Sequence, residues 1–144
     1  MLLVHVHELP EIALIDMGDF AGGTFKYLRR NPIPRLTIAG GFAKLTKLAQ
    51  GHLDLHSGVS SVDLDGLIGW LASLGAIPSL LELARRAPSA AAIQALATDA
   101  GLPLADRVAR VARDVALGEV GGGIEVEVLV VDRAGGVIGH VRGW

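Results

Sequence analysis

The sequence predicts an α/β fold: a βαβ-based parallel sheet with flanking helices and a C-terminal β-hairpin at the sheet edge. Two short apolar runs, Ile12–Asp16 and Arg35–Ala39, are each followed by a glycine turn and a segment with helical spacing, as in βα units. Helical patterns fill the middle of the chain. Near its end, Ile124–Val131 and Val137–Val141 flank a glycine-rich turn, which is the pattern of a hairpin.

Composition limits the classes of protein that the chain can belong to. Its 144 residues suit one core, so residues 1–144 are predicted to form a single α/β domain. A net charge of −2 gives no basic field for nucleic acid, and the absence of cysteine excludes disulfides and thiolate sites. The longest uncharged run, Gly66–Leu81, is short for a membrane span, and the first residues lack the basic region of a secretory signal. We therefore predict a cytoplasmic protein without nucleic-acid or membrane partners.

The first predicted βα unit passes from the strand Ile12–Asp16 through Gly18 into a helix with Asp19 as its N-cap. The residues expected to face inward are Phe20, Thr24, Tyr27 and Leu28. The helix ends near Arg30 and the second strand follows at once. The two strands are therefore predicted to be parallel and adjacent, with both glycine turns at the same edge of the sheet.

The second predicted unit joins its strand and helix through Gly40 and Gly41. The expected buried residues of this helix are Phe42, Leu45, Leu48 and Ala49. Lys44 and Lys47 are expected on another side, away from the buried stripe. Glycines at such a turn allow a ligand to approach the backbone, and the free N–H groups of the helix favour phosphate or carboxylate. Many glycines at such turns are purely steric, and neither turn carries an intact nucleotide-binding motif.

A polar loop follows this helix and carries His52, Asp54, His56 and Ser57. If the segment is extended, His52, Asp54 and His56 project to one face. Three interpretations remain open: a plain polar loop, a metal site, and a hydrogen-bonding cluster for an acidic ligand. The other histidines have no evident partners and are interpreted as structural or incidental: His5, His7 and His140.

Four helices are predicted between this loop and the hairpin: Asp63–Leu74, Ile77–Arg86, Ser89–Ala100 and Pro103–Gly118. In the last of them Arg107, Arg110 and Arg113 repeat every three residues, with Asp106 and Asp114 nearby. A solvated, salt-bridged face is favoured over a ligand site here.

Two strings in the first half of the chain are specific enough to indicate a family. MGDFAGGTFKYLRR, followed by PRLTIAGGFAKLTKLAQGHLDLHS and then VDL, resembles the cobalt-precorrin-5B C(1)-methyltransferases, the CbiD family of anaerobic cobalamin biosynthesis. The resemblance is near-continuous from about Leu9 to Leu64 and extends collinearly to the EVEVLVVDRAGGVIG hairpin. Leu55 stands where threonine is often expected.

The resemblance implies an S-adenosylmethionine-dependent enzyme that methylates C-1 of cobalt-precorrin-5B to give cobalt-precorrin-6A. It also implies a larger protein, with an amino-terminal domain before Met1. Whether the enzyme is a homo-oligomer stays open at this point. The residues expected near the methyl donor are Gly18, Asp19, Gly22, Gly40 and Gly41. The residues expected to contact substrate carboxylates are Lys44, Lys47, His52, Asp54, His56 and Ser57. No catalytic base is predicted.

Two other functions remain open at this point. One is a non-catalytic α/β module that binds a tetrapyrrole or a nucleotide-like ligand. The other is a metal-dependent hydrolase built on His52, Asp54 and His56.

Overall fold

A computed structural model of the protein describes residues 3–6, 13–16, 21–56 and 60–143. Within these ranges the chain forms five strands and six helices. The strands are β1 (Leu3–Val6), β2 (Ala13–Asp16), β3 (Arg35–Gly41), β4 (Glu125–Val131) and β5 (Val137–Val141). The helices are α1 (Ala21–Arg30), α2 (Phe42–Ala49), α3 (Leu64–Ser73), α4 (Pro78–Arg85), α5 (Ala90–Asp99) and α6 (Leu104–Val120).

The five strands form one mixed sheet in the order β2-β1-β3-β4-β5. β3 and β4 are parallel neighbours, and helices α2 to α6 make the connection between them. β4 and β5 form the predicted antiparallel hairpin, which places β5 at one edge. The predicted α/β class and the C-terminal hairpin are therefore confirmed.

The predicted adjacency of the first two βα strands is wrong. β2 and β3 run in the same direction, but β1 lies between them and is antiparallel to both. Asp16 of β2 and Ala39 of β3 are both paired with Leu3 of β1. The carboxyl ends of β2 and β3 therefore still lie at the same end of the strands. Two strand spacings separate them, roughly 10 Å. Gly18, which follows β2 in the sequence, lies outside the described residues.

Helix α6 packs against β4 and β5 of the sheet. Its buried residues include Leu104, Val108 and a series of alanines, and Val126, Val128 and Val130 are the buried side chains of β4. The small residues allow a very close approach to β5. These side chains belong to the single hydrophobic core formed by the described buried residues.

The buried face of α1 differs from the prediction. Its buried residues are Ala21, Phe25 and Leu28, whereas Tyr27 is 63% exposed and Thr24 is half-buried. The spacing i, i+4, i+7 explains this face, because these positions lie on one side of a helix. Phe20 is among the residues that the structure does not describe.

Two of the middle helices are capped by the side chain of the residue that precedes them. Asp63 precedes α3 and its Oδ1 accepts a hydrogen bond from the Gly66 N–H at 3.1 Å. Ser89 precedes α5 and its Oγ accepts from the Ala92 N–H at 3.2 Å. A side-chain oxygen at the N-cap pairs one of the N–H groups that the helix itself leaves unpaired.

The arginine face of α6 is not salt-bridged. In the described part of the chain, none of its three arginines forms an ion pair with Asp106 or Asp114. Arg107 instead donates to Ser73 Oγ at 2.8 Å, and Arg113 donates to the carbonyl of Arg142 at 2.5 Å.

Candidate functional site

An open cleft of about 520 Å³ lies where β3 and β4 end. The parallel register places Gly41, the last residue of β3, beside Val131, the last residue of β4. Residues 41–44 and 131–133 line the cleft, together with Ala91, Gln94 and Ile138. The carboxyl ends of parallel strands are the usual ligand position in α/β folds. The cleft is therefore the first candidate for the functional site.

The amino end of α2 forms one wall of this cleft. Gly41 is its N-cap, with φ −70° and ψ 159°, and no side chain caps the helix. A Cβ atom built on Gly41 would meet no atom within 4 Å, so packing does not require glycine at this position. No acidic residue occupies the first turn. This helix end therefore offers uncapped N–H groups and a favourable dipole to an anion.

Two cationic side chains line the cleft from different elements. Lys44 comes from the first turn of α2 and is half-buried, and Arg133 comes from the β4–β5 turn and is exposed. Asp132 also lines the cleft, but its Oδ1 accepts hydrogen bonds from the N–H groups of Ala134 (2.9 Å) and Gly136 (2.8 Å). The carboxylate is thus used to close the turn.

Lys47 does not lie on the exposed side of α2, contrary to the prediction. It is only 8% exposed, and its Nζ donates to the carbonyl of Leu55 at 3.1 Å. The N–H of His52 in turn donates to the Lys47 carbonyl at 3.0 Å. The polar loop therefore folds back over the helix and covers this lysine.

The polar loop also contacts the start of α1. The N–H of Gly22 donates to the Leu53 carbonyl at 3.1 Å, and a Cβ atom on Gly22 would lie 3.0 Å from Leu53 Cβ. Gly22 is therefore explained by this close contact between loop and helix. Within the loop, the His56 N–H donates to Asp54 Oδ1 at 3.2 Å.

The loop does not assemble a metal site from its histidines and aspartate. Across the described ranges, no three or more His, Asp or Glu side chains are grouped so that they could hold a metal ion. His52 and Asp54 are half-buried and His56 is exposed. Nor is any helix in these ranges long and apolar enough to cross a membrane.

The predicted site residues fall into two groups at opposite ends of α2. Gly41 and Lys44 lie in the cleft at its amino end, and Gly40 is buried beside them. The group at the other end comprises Gly22, Lys47, His52, Asp54 and His56. A helix of eight residues is about 12 Å long, so the groups are not one compact cluster. Gly18, Asp19 and Ser57 lie outside the described residues.

Two residues of the cleft were missed by sequence reasoning. The signal for Arg133 was present, because it opens the predicted hairpin turn directly after a strand that ends at the ligand edge. Gln94 had no signal: it lies within α5, and only tertiary packing brings it to the cleft.

His140 has side-chain partners that the sequence did not indicate. Its Nε2 lies 2.9 Å from Glu127 Oε2, and Thr37 Oγ1 donates to Glu127 Oε1 at 2.9 Å. The register explains the group, because Thr37 is paired with Glu127 across β3 and β4. His140 also lines a second, smaller cleft of about 370 Å³, together with Arg107 and Arg110.

Comparison with known proteins identifies the family. The model of the CbiD C-terminal domain matches residues 54–142, which is more than half of the chain. The chain belongs to the CbiD family. The earlier resemblance is thus confirmed, although the family model begins only at the polar loop, whereas the strings that carried the resemblance lie mainly before it.

Curated relatives extend the similarity to almost the whole chain. The chain is 48% identical to the cobalt-precorrin-5B C(1)-methyltransferase of Pseudomonas fluorescens strain Pf-5 over 139 residues, which are 96% of this chain and 38% of that protein. It is 55% identical over 129 residues to the protein of the same name from Rhodospirillum rubrum, covering 89% of this chain and 36% of the relative. The chain thus spans little more than a third of the length of these relatives. No solved structure matches it.

Proposed function

We propose that this chain is the C-terminal α/β part of an S-adenosylmethionine-dependent methyltransferase that acts on C-1 of cobalt-precorrin-5B. The observation that carries the proposal is 48% identity, along 96% of the chain, to a protein named for that reaction. The cleft between the ends of β3 and β4 provides the physical support. It combines uncapped helix N–H groups with two cations, which suits a substrate that carries several carboxylates.

Within this proposal two parts of the α2 wall of the cleft have different tasks. The β3–α2 turn suits close approach of the methyl donor, because no side chain at Gly41 intervenes. Lys44, one turn into the helix, holds a carboxylate of the cobalt-containing substrate by a charge-assisted hydrogen bond. S-adenosylmethionine supplies an electrophilic methyl group. The protein then has to align donor and acceptor atoms, and such alignment accounts for a large part of the rate of a two-substrate reaction.

The contribution of the polar loop stays a prediction. His52 and Asp54 are half-buried and His56 is exposed, so polar groups of a ligand can reach part of each side chain. Lys47 can act on a ligand only indirectly while its ammonium group is bonded to the Leu55 carbonyl. A cytoplasmic location, a homo-oligomer and contact with the rest of a larger enzyme are parts of the same proposal.

The proposal is tested with the complete protein that contains this chain. We expect methyl transfer from S-adenosylmethionine to cobalt-precorrin-5B, and we expect Lys44→Ala to weaken substrate binding roughly ten- to a hundredfold by removing one charged hydrogen bond. Lys26→Ala is the matched control, because Lys26 is an exposed lysine of α1 that does not line the cleft. Absence of methyl transfer by the wild-type protein, with binding of the corrinoid retained, would instead favour a non-catalytic binding module.

A further inference from the structure

We propose that Arg133 is a second substrate-recognition residue of the cleft and that it forms, with Lys44, a two-cation clamp for neighbouring carboxylate groups of the ligand. This inference rests on the proposed function for the identity of the ligand, a corrinoid with peripheral carboxylates. The anion-binding chemistry itself rests only on the structure.

The β4–β5 turn holds the backbone of Arg133 in a fixed position. Asp132 Oδ1 accepts two backbone hydrogen bonds within the turn, from Ala134 and Gly136. The Gly135 N–H donates to the Asp132 carbonyl at 3.1 Å, and the Asp132 N–H donates to the Gly136 carbonyl at 2.9 Å. Because four hydrogen bonds close this turn, the backbone that carries the Arg133 side chain is already ordered. Less conformational entropy is therefore lost when the guanidinium binds an anion.

The guanidinium of Arg133 is available to a ligand. Among the residues that the structure describes, none accepts a hydrogen bond from Arg133 or forms an ion pair with it, whereas Arg29, Arg35 and Arg85 each have a glutamate partner. The nearest acidic side chain in sequence, Asp132, is engaged by the turn. An arginine without a partner in a cleft suits a carboxylate, which it can bind through two parallel hydrogen bonds.

Gln94 supports the assignment from a third wall. Its Nε2 donates to Thr98 Oγ1 at 3.1 Å, while its Oε1 is buried and has no hydrogen-bond partner in the described part of the protein. If the positions of Oε1 and Nε2 are exchanged, Oε1 pairs with Thr98 and Nε2 becomes the atom without a partner. Rotation of the side chain would give up only the bond to Thr98, so its NH₂ group can be offered to an anion in the cleft that Gln94 lines.

The number of cations indicates which ligand the clamp holds. Lys44 and Arg133 come from separate elements, and the uncapped start of α2 lies on the same cleft. Several donors spread over a cleft of about 520 Å³ match a ligand with more than one carboxylate. The methyl donor has a single carboxylate, so we assign the clamp to the corrinoid substrate.

The test measures ligand affinity by calorimetry on the complete protein. Cobyrinic acid is the polycarboxylate probe, and its fully methyl-esterified form is the same macrocycle without carboxylates. S-adenosylhomocysteine is the probe for the binding site of the methyl donor. Arg133→Gln should weaken binding of cobyrinic acid roughly ten- to a hundredfold. It should leave S-adenosylhomocysteine unaffected, and the ester should bind weakly to both proteins. Gln94→Leu should give a smaller loss with the same ligand preference.

Arg110→Gln is the matched control. Arg110 lines the second cleft and likewise has no hydrogen-bond or ion-pair partner among the described residues, so its replacement changes the net charge equally. Equal losses of affinity for Arg133→Gln and Arg110→Gln would mean that only the net charge of the protein matters, and this result would overturn the clamp. Tight binding of the ester would do the same. A loss confined to S-adenosylhomocysteine would move the clamp to the methyl donor and refute the assignment to the substrate.

These outcomes are separable from failure of the proposed function. A wild-type protein that binds cobyrinic acid through Arg133 but transfers no methyl group would refute the methyltransferase and leave the clamp intact. An active methyltransferase whose affinity is insensitive to Arg133→Gln would refute the clamp alone. Melting temperatures of all variants show whether a loss of binding reflects a loss of folding.

Discussion

Gly139→Ala tests the contact that places the hairpin, and hence one side of the cleft. A Cβ atom on Gly139 would lie 2.6 Å from the backbone carbon and oxygen of Ala105 in α6, and 2.7 Å from Ala105 Cβ. Ordinary contacts of a Cβ atom are 3.4–4 Å, so β5 and α6 would have to separate by about 1 Å. The obstructing atoms belong to the backbone of a buried helix and cannot move aside as a flexible side chain would.

The expected cost follows from this geometry. Overpacking of a core typically costs about 1–3 kcal/mol, and we expect the upper end because two backbones must separate. For a chain of this length, each kcal/mol lowers the melting temperature by about 2–4 °C, so a fall of roughly 6–12 °C is expected. Ile138 precedes Gly139 and lines the cleft, so affinity for a cleft ligand should fall as well.

Thermal and urea unfolding followed by circular dichroism measure this effect. Gly118→Ala is the control, because Gly118 is an exposed residue of α6 whose added Cβ would meet no atom within 4 Å. Alanine should stabilise that position by roughly 0.5–1 kcal/mol, since glycine loses more backbone entropy on folding. If Gly139→Ala is as stable as the wild type, the close packing of β5 on α6 is not as described and the reasoning fails.

Three further substitutions test the supports of the polar loop and of α3. Gly22→Ala should lower the free energy of unfolding by about 1 kcal/mol, because the added Cβ would lie 3.0 Å from Leu53 Cβ. Gly23→Ala is the control and should be neutral or stabilising, because a Cβ atom there would meet no atom within 4 Å. Equal effects of the two substitutions would contradict the contact with Leu53. Lys47→Ala should lower the free energy of unfolding, measured in urea, by about 2 kcal/mol or more. Lys47→Met should lower it clearly less, because methionine keeps the buried apolar part of the lysine side chain. Equal losses for the two variants would show that the hydrogen bond to the loop carries most of the effect. Asp63→Ala should cost about 0.5–2 kcal/mol through loss of the N-cap of α3, and an unchanged melting temperature would refute that role.

The sequence predicts local elements well because their causes are local. The buried stripe of α2 follows from residues within two turns of each other, and the structure confirms it. The order of strands in the sheet has no such local cause. The run Leu3–Val6 is ambiguous between strand and helix by itself, and its position between β2 and β3 depends on pairing with residues thirty or more positions away.

The candidate site shows the same division. Gly41 and Lys44 were predicted because the carboxyl end of a strand and the first turn of a helix are adjacent in sequence. Arg133 and Gln94 join them only through the fold, from some 50 to 90 positions along the chain. Lys47 was misplaced because a charged residue on a helix was assumed to face solvent. That assumption fails when a later loop folds over the helix and offers a carbonyl group in place of water.

The separation of the two predicted groups limits which ligands can use both. Lys44 lies at the amino end of α2 and the polar loop follows its carboxyl end, with about 12 Å of rigid helix between the ends. A small anion can therefore contact only one group, whereas a macrocycle with carboxylates around its rim is wide enough to approach both. A shared site thus requires a broad polyanion, and this requirement follows from the length of one helix rather than from the family to which the chain belongs. The two ends can contribute separately to affinity, because the rigid helix α2 fixes the distance between them.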